Sequence, residues 1–108
     1  YKNFFIIKNL GQEMFFSALN FSNLLIGNSS SGVIEAPSFK IPVMNLGNRQ
    51  KNRFTSNVVI NSNFNIAEMK RKFRLLNSSS HKLKIKRSLN IYENNNAVKK
   101  AAKIIYQL

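Results

Sequence analysis

Apolar positions along the 108-residue chain fall in short blocks separated by polar, Asn- and Ser-rich stretches. Residues 3–8 are a brief run of Phe and Ile, which predicts a buried strand. Gly11 breaks that run. Over 12–20, Met14, Phe15, Ala18 and Leu19 recur at helical spacing. Leu24, Leu25 and Ile26 predict a second strand, followed by a Gly/Asn/Ser cluster at 27–32. The stretch 33–39 reads as a short helix that Pro37 should find hard to continue. Residues 42–46 predict a third strand, 47–56 a polar and basic loop, and Val58, Val59 and Ile60 a fourth strand. Asn65 can cap a helix, with Glu68 three residues on closing the reciprocal cap. Ile66, Met69, Phe73 and Leu76 give that helix one apolar face. Residues 77–96 are polar, with a basic alternation at 82–87 expected on a surface helix. A last helix, about 96–108, sets Val98, Ala101, Ala102, Ile105 and Leu108 on one side.

The resulting order, β-α-β-α-β-loop-β-α-(α)-α, implies an α/β fold with a parallel sheet flanked by helices. Open sheets of this kind bind ligands beyond the carboxyl ends of their strands. The segments after Lys8, Ile26, Leu46 and Ile60 are therefore where chemistry is expected.

Composition narrows the chemistry. Lys and Arg number 17 against four Glu and no Asp, a formal net charge of +13, which favours a polyanionic partner. Catalysis by carboxylate pairs within this chain is disfavoured, because Glu13, Glu35, Glu68 and Glu93 are scattered. With no Cys and one His, disulfide scaffolds, thiol nucleophiles and multi-histidine metal sites are excluded, and neither metal nor cofactor is expected. No apolar run approaches the roughly 18 residues of a membrane-spanning helix, and the opening YKNFFIIKNLG lacks the form of a secretion signal. The absence of an initial Met suggests a piece of a longer chain. The heavy use of Lys, Asn and Ile reads as a compositional bias of the source, one that inflates the basic count.

The stretch Leu24-Leu25-Ile26-Gly27-Asn28-Ser29-Ser30-Ser31-Gly32-Val33-Ile34-Glu35 runs from a strand through small residues into a helix. Unpaired amides and the dipole at such a helix start suit a phosphate. Gly27 and Gly32 allow a tight turn and close approach, and Ser29 and Ser30 add hydroxyl donors. Glu35, one turn into the helix, is a poor phosphate ligand but a good acceptor for two vicinal ribose hydroxyls. The same residues also suit a plain chain turn, with Glu35 merely complementing the helix dipole. The loop is neither a Walker A sequence, lacking Lys-Ser/Thr after the second Gly, nor a dinucleotide fingerprint, lacking Gly-x-Gly.

Residues 27–53, GNSSSGVIEAPSFKIPVMNLGNRQKNR, resemble the signature of the UDP-N-acetylglucosamine 2-epimerases, and within them the hydrolysing branch. The Asp-Ser-Gly-Gly and Thr-Glu-Arg-Pro segments of the non-hydrolysing branch are absent. Residues 90–97 are similar to that family's Asn-Pro-Tyr-Gly-x-Gly-Asn-Ala stretch, and the opening residues fit the strand and helix upstream of the loop. The resemblance implies a Rossmann-like, UDP-binding domain spanning 1–108, most of the C-terminal half of a glycosyltransferase-B-like two-domain enzyme. It further implies that Ser29 and Ser30 bind phosphate, Glu35 the ribose hydroxyls and Arg49 the diphosphate-sugar linkage, with Gly32 and Leu10 also in the substrate site and Leu10 beside the uracil. The whole enzyme is expected to be cytoplasmic and homo-oligomeric. It would expel UDP from UDP-N-acetylglucosamine or a related sugar by elimination across C1 and C2, with water then adding to give an N-acetylmannosamine-type product for sialic or related acid synthesis. The acid/base residues would lie in the absent N-terminal half, so residues 1–108 alone should not turn over.

Two departures from the family pattern stand out. Asn52 replaces the Gly of Arg-Gln-x-Gly-Arg, where tolerance of the left-handed conformation would preserve the turn. Ile91 and Glu93 replace Pro and Gly, which puts the local turn in question. His81 is expected to be a solvated side chain rather than a base. The rival reading is a basic nucleic-acid module built on 70–74 and 82–87, but it lacks an accompanying motif, and Phe73 is expected in the core. A UDP-sugar-binding glycosyltransferase-like domain is the nearer alternative.

Overall fold

The computed structural model describes residues 2–93 and 96–108. In chain order the elements are α1 (Gly11–Phe21), β1 (Leu25–Gly27), α2 (Ser30–Ile34), a 3-10 turn (Ala36–Phe39), β2 (Val43–Leu46), β3 (Val59–Ser62), α3 (Ile66–Leu76), α4 (Ser79–Arg87) and α5 (Ala97–Tyr106). The three strands form a parallel sheet in the order β1-β2-β3. The architecture is thus the α/β, helix-flanked parallel sheet that the alternation predicts.

Register sets the two faces. Leu25, Val43 and Val59 share one row, and Ile26, Met44 and Ile60 the next; successive rows point to opposite sides. The first row belongs to the main core, with Leu19 of α1, Val33 of α2, Ala36, Ile41, Val58 and Ile85 of α4. Phe16 and Phe39 pack at its rim with ring centroids 5.6 Å apart. The second row faces α3, which packs on β3 and β2.

The predicted strand at 3–8 does not form. Residues 4–8 run unpaired, with Phe5 82% and Ile6 87% exposed. A strand exists only where a neighbour takes its ladder hydrogen bonds, and an apolar run does not say whether one does. Pro37 explains a second difference. The expected 33–39 helix is two pieces: α2 begins at Ser30 and ends at Ile34, and the 3-10 turn starts afresh with Pro37 in its first positions. There proline's missing N–H costs nothing. Lys40 closes the turn at φ 55°, its amide bonded to the Pro37 carbonyl at 3.2 Å.

The cap of α3 forms by one half. Asn65 Oδ1 accepts from the Glu68 amide at 3.0 Å. The Glu68 carboxylate does not return to Asn65 and instead accepts from Asn63 Nδ2 at 3.1 Å. The apolar face of α3 is only partly covered. Leu76 is buried, but Ile66 is 73% and Phe73 48% exposed. Phe73 is therefore no core residue; with Ile26, Met44, Ile66 and Met69 it lines a shallow apolar groove edged by Lys70 and Arg74. α5 forms where expected, yet none of its residues is buried. Periodicity specifies a helix face, not a surface for it to meet.

His81 is also misread by sequence. It lies on α4 one turn before Ile85 and is buried, with Nε2 lacking a partner among the described residues. Burial pushes its pKa below the ordinary value, and Lys84 lowers it further. The unfolded chain therefore takes up a proton first as pH falls, so stability is complete above about pH 6.5 and declines below it. Because this is the chain's one histidine, the urea midpoint is expected to fall between about pH 7 and 5.5 in the unsubstituted chain and to stay flatter in His81→Leu.

Candidate functional site

The ends of the parallel strands gather the loops. A cleft of about 570 Å³ opens beside the carboxyl end of β1, between the segment leading into α1 and the start of α2. Leu10, Ser29, Ser31, Gly32 and Glu35 line it, with Leu25 and Val43 among the apolar residues that complete it. Four of the six residues singled out from the sequence, Leu10, Ser29, Gly32 and Glu35, thus meet in one place. Ser30 and Arg49 are not among the lining residues. Ser31 is, although the sequence singles out Ser29 and Ser30 as the phosphate-binding pair.

The first turn of α2 has its own hydrogen-bond economy. Ser29 is the N-cap: its Oγ accepts from the Ser31 amide at 3.3 Å and its carbonyl from the Gly32 amide at 3.1 Å. The Ser29 hydroxyl is thus already an acceptor within the loop and keeps its proton to donate outward. Gly32 does not adopt a left-handed backbone, and neither does Gly27. Gly32 is buried where an added Cβ would sit 3.3 Å from Val43 Cγ1 and 3.5 Å from Leu25 Cδ2. Its lack of a side chain seats α2 against the sheet. Around Gly27, by contrast, an added Cβ meets nothing within 4 Å.

Glu35 changes meaning in three dimensions. It is the C-cap of α2, not a first-turn residue, and its amide bonds to the Ser31 carbonyl at 3.0 Å. A carboxylate at a helix C-terminus opposes the dipole of α2, while the same residue is the N-cap of the 3-10 turn that follows. Half-buried on the cleft wall, it is the one glutamate of the four that lines this cleft.

Arg49 is exposed on the loop that follows β2. Gly47 starts that loop at φ 72°, a conformation suited to glycine. Two turns follow, with the Lys51 amide bonded to the Asn48 carbonyl and the Arg53 amide to the Gln50 carbonyl, each at 3.0 Å. Gln50 is buried, and its Nε2 donates to the Asn28 carbonyl of the Gly/Ser loop at 3.0 Å. Sequence reasoning passed over this link, because nothing in a single sequence distinguishes a buried Gln in a polar loop from a solvated one. No group of three or more His, Cys, Asp or Glu among the described residues could hold a metal ion.

Residues 1–106 match the family described as UDP-N-acetylglucosamine 2-epimerase. The chain belongs to that family. It is 38% identical over 77 residues to the GDP/UDP-N,N'-diacetylbacillosamine 2-epimerase (hydrolyzing) of Campylobacter jejuni, covering 71% of this chain and 20% of that protein. It is 49% identical over 55 residues to the UDP-N,N'-diacetylbacillosamine 2-epimerase (hydrolyzing) of Legionella pneumophila, covering 51% of this chain and 15% of that protein. It is 44% identical over 52 residues to the polysialic acid biosynthesis protein P7 of Escherichia coli, covering 48% of this chain and 13% of that protein. These likenesses place it in the hydrolysing branch of the epimerases. The matched segments amount to a fifth or less of those relatives' lengths.

Both departures from the epimerase pattern are absorbed locally. Asn52 completes its turn without a left-handed backbone, so the conformation expected of it is not used. At 90–93 the turn closes with the Glu93 amide on the Asn90 carbonyl at 3.1 Å, and Glu93 Oε2 accepts from Ser38 Oγ at 3.3 Å. Buried Asn90 donates to the Ile34 carbonyl at 2.7 Å and to Ser38 Oγ at 2.8 Å. Tyr92 OH donates to the Phe54 carbonyl at 2.7 Å. Ile91 stays exposed. Asn94 and Asn95, which complete the resembling tail, lie outside the described residues.

Gly32 gives the cleft its most direct structural test. Gly32→Val must force α2 away from Leu25 and Val43, and overpacking of this kind costs about 1–3 kcal/mol. The denaturation midpoint is expected to drop accordingly, with the conformational tolerance of Gly27→Ala as the contrasting control.

Proposed function

We propose that this chain is the UDP-holding part of a hydrolysing UDP-2-acetamido-sugar 2-epimerase. The observation that carries the proposal is the cleft that brings Leu10, Ser29, Gly32 and Glu35 together in a member of this family. In this reading the Ser29 hydroxyl meets a phosphate at the start of α2. Glu35 accepts from the two ribose hydroxyls, and Leu10 borders the uracil. Arg49 swings from its exposed loop to the sugar-phosphate linkage, where negative charge grows as UDP leaves.

The overall reaction breaks the C1–oxygen bond to UDP and the C2–H bond, giving a glycal. Water then adds its hydroxyl at C1 and a proton at C2 on the opposite face. Removing the C2 proton needs a base, and this chain has little to offer. Glu68 and Glu93 already accept hydrogen bonds from Asn63 and Ser38, and Glu35 is assigned to the ribose. The family resemblance assigns the base instead to an N-terminal half, in a cytoplasmic, homo-oligomeric, glycosyltransferase-B-like assembly. The products are UDP and an N-acetylmannosamine-type sugar for sialic or related acid synthesis.

Hydrogen exchange tests the binding assignment. UDP is expected to slow exchange at 27–35 and 47–53, while oligonucleotides leave 70–87 unprotected. Protection by oligonucleotide at 70–87, without a UDP effect, would replace this reading with nucleic-acid binding. By calorimetry, Glu35→Gln is expected to weaken UDP binding about tenfold, the loss of a hydrogen bond to a charged acceptor. It should also shrink the preference for UDP over 2'-deoxy-UDP. The unsubstituted chain is expected to bind UDP without epimerase turnover.

A further inference from the structure

Gln50 is only 5% exposed, although its loop neighbours Asn48, Arg49, Lys51 and Asn52 face solvent. Its amide spans 22 residues of sequence to reach the Asn28 carbonyl. Because a carbonyl can only accept, Asn28 fixes the orientation of the amide, with Nε2 toward it and Oε1 turned away. Among the described residues that Oε1 is buried without a partner. A buried orphaned acceptor is destabilising and offsets much of what the bond to Asn28 contributes. Stability of the fold therefore gives little reason for an amide here.

Position does give one. Asn28 immediately follows the end of β1, and Gln50 follows the end of β2 within the two-turn loop that carries Arg49. The bond joins the loop that begins α2 to the loop that presents the guanidinium. We infer that Gln50 is a positioning residue, one that locks the Asn28 carbonyl and thereby fixes the spacing between the Ser29–Ser31 turn and Arg49 for a diphosphate held between them. The inference rests on the diphosphate reading above. It adds that the two halves of the grip are one mechanical unit. The orphaned Oε1 marks the cost of holding the amide in this single orientation.

The test uses the 108-residue chain with Gln50→Met, which keeps length and removes both the donor and the orphan, and with Gln50→Glu, which sets an acceptor against the Asn28 carbonyl. Three readouts are needed: the urea midpoint, ligand-free hydrogen exchange at 28–32 and 48–53, and UDP affinity by calorimetry. For Gln50→Met the midpoint is expected to change little, because loss of the bond and loss of the orphan offset each other. Both segments exchange faster together, and UDP binds about tenfold more weakly, the worth of one lost positioning bond. Gln50→Glu is expected to move exchange and affinity further in the same direction. A Gln50→Met chain that fails to fold, or that loses affinity only in step with stability, would make Gln50 a structural residue and overturn the inference. Unchanged exchange in both segments would overturn it as well. If the unsubstituted chain bound no UDP, the diphosphate reading would fall, and the exchange readout alone would still decide whether Gln50 couples the loops.

Discussion

Parallel pairing of β2 with a neighbour on each side is the constraint from which the rest follows. A parallel strand cannot be joined to its neighbour by a hairpin. Every connection must cross back over the sheet, and the crossovers here are α2 with its 3-10 turn and the long 47–58 loop. All three strands therefore end at the same edge, and their exits are brought side by side. The Gly/Ser loop leaves β1 there and the Arg49 loop leaves β2, close enough for Gln50 to bond to Asn28 at 3.0 Å. The cleft is a by-product of this geometry, and its chemistry is set by which residues occupy the exits.

Close seating of α2 is the second requirement, and Pro37 and Gly32 meet it together. Gly32 lets the helix approach Val43 and Leu25. Pro37 stops the helix after one short stretch, which makes Glu35 its C-cap on the cleft wall rather than a residue within the helix. Asn90 then secures the junction from the far end of the chain, bonding both Ile34 and Ser38. A long-range tie of this kind holds a short helix that local propensity alone would not sustain.

Much of this was legible in the order of residues. The alternation of apolar blocks with Gly/Ser and Asn-rich breaks gave the strand-helix sequence, and the Asn65 cap was visible in its spacing to Glu68. Of the six residues that the family resemblance singled out, Leu10, Ser29, Gly32 and Glu35 share one cleft, and Ser30 and Arg49 do not line it. The exposed run at 4–7, the bare face of α5 and half-exposed Phe73 were not legible, because apolar character records a tendency to be buried and not the presence of a partner. His81 and Gln50 failed in the opposite direction. Both are polar side chains in polar segments, and both are buried by neighbours distant in sequence.

Apart from the strand expected at 3–8 and the unbroken helix at 33–39, the sequence by itself determined the kind of elements, their parallel arrangement and the family, since these depend on local periodicity, on connection length and on a contiguous signature. Tertiary structure decided what each residue in the signature does. It made Gly32 a packing residue and Glu35 a cap at a helix C-terminus, and it left Arg49 exposed on a loop anchored through Gln50. Hydrogen bonds across 22 or 56 residues depend on where the chain folds back, and no local pattern of side chains encodes that position.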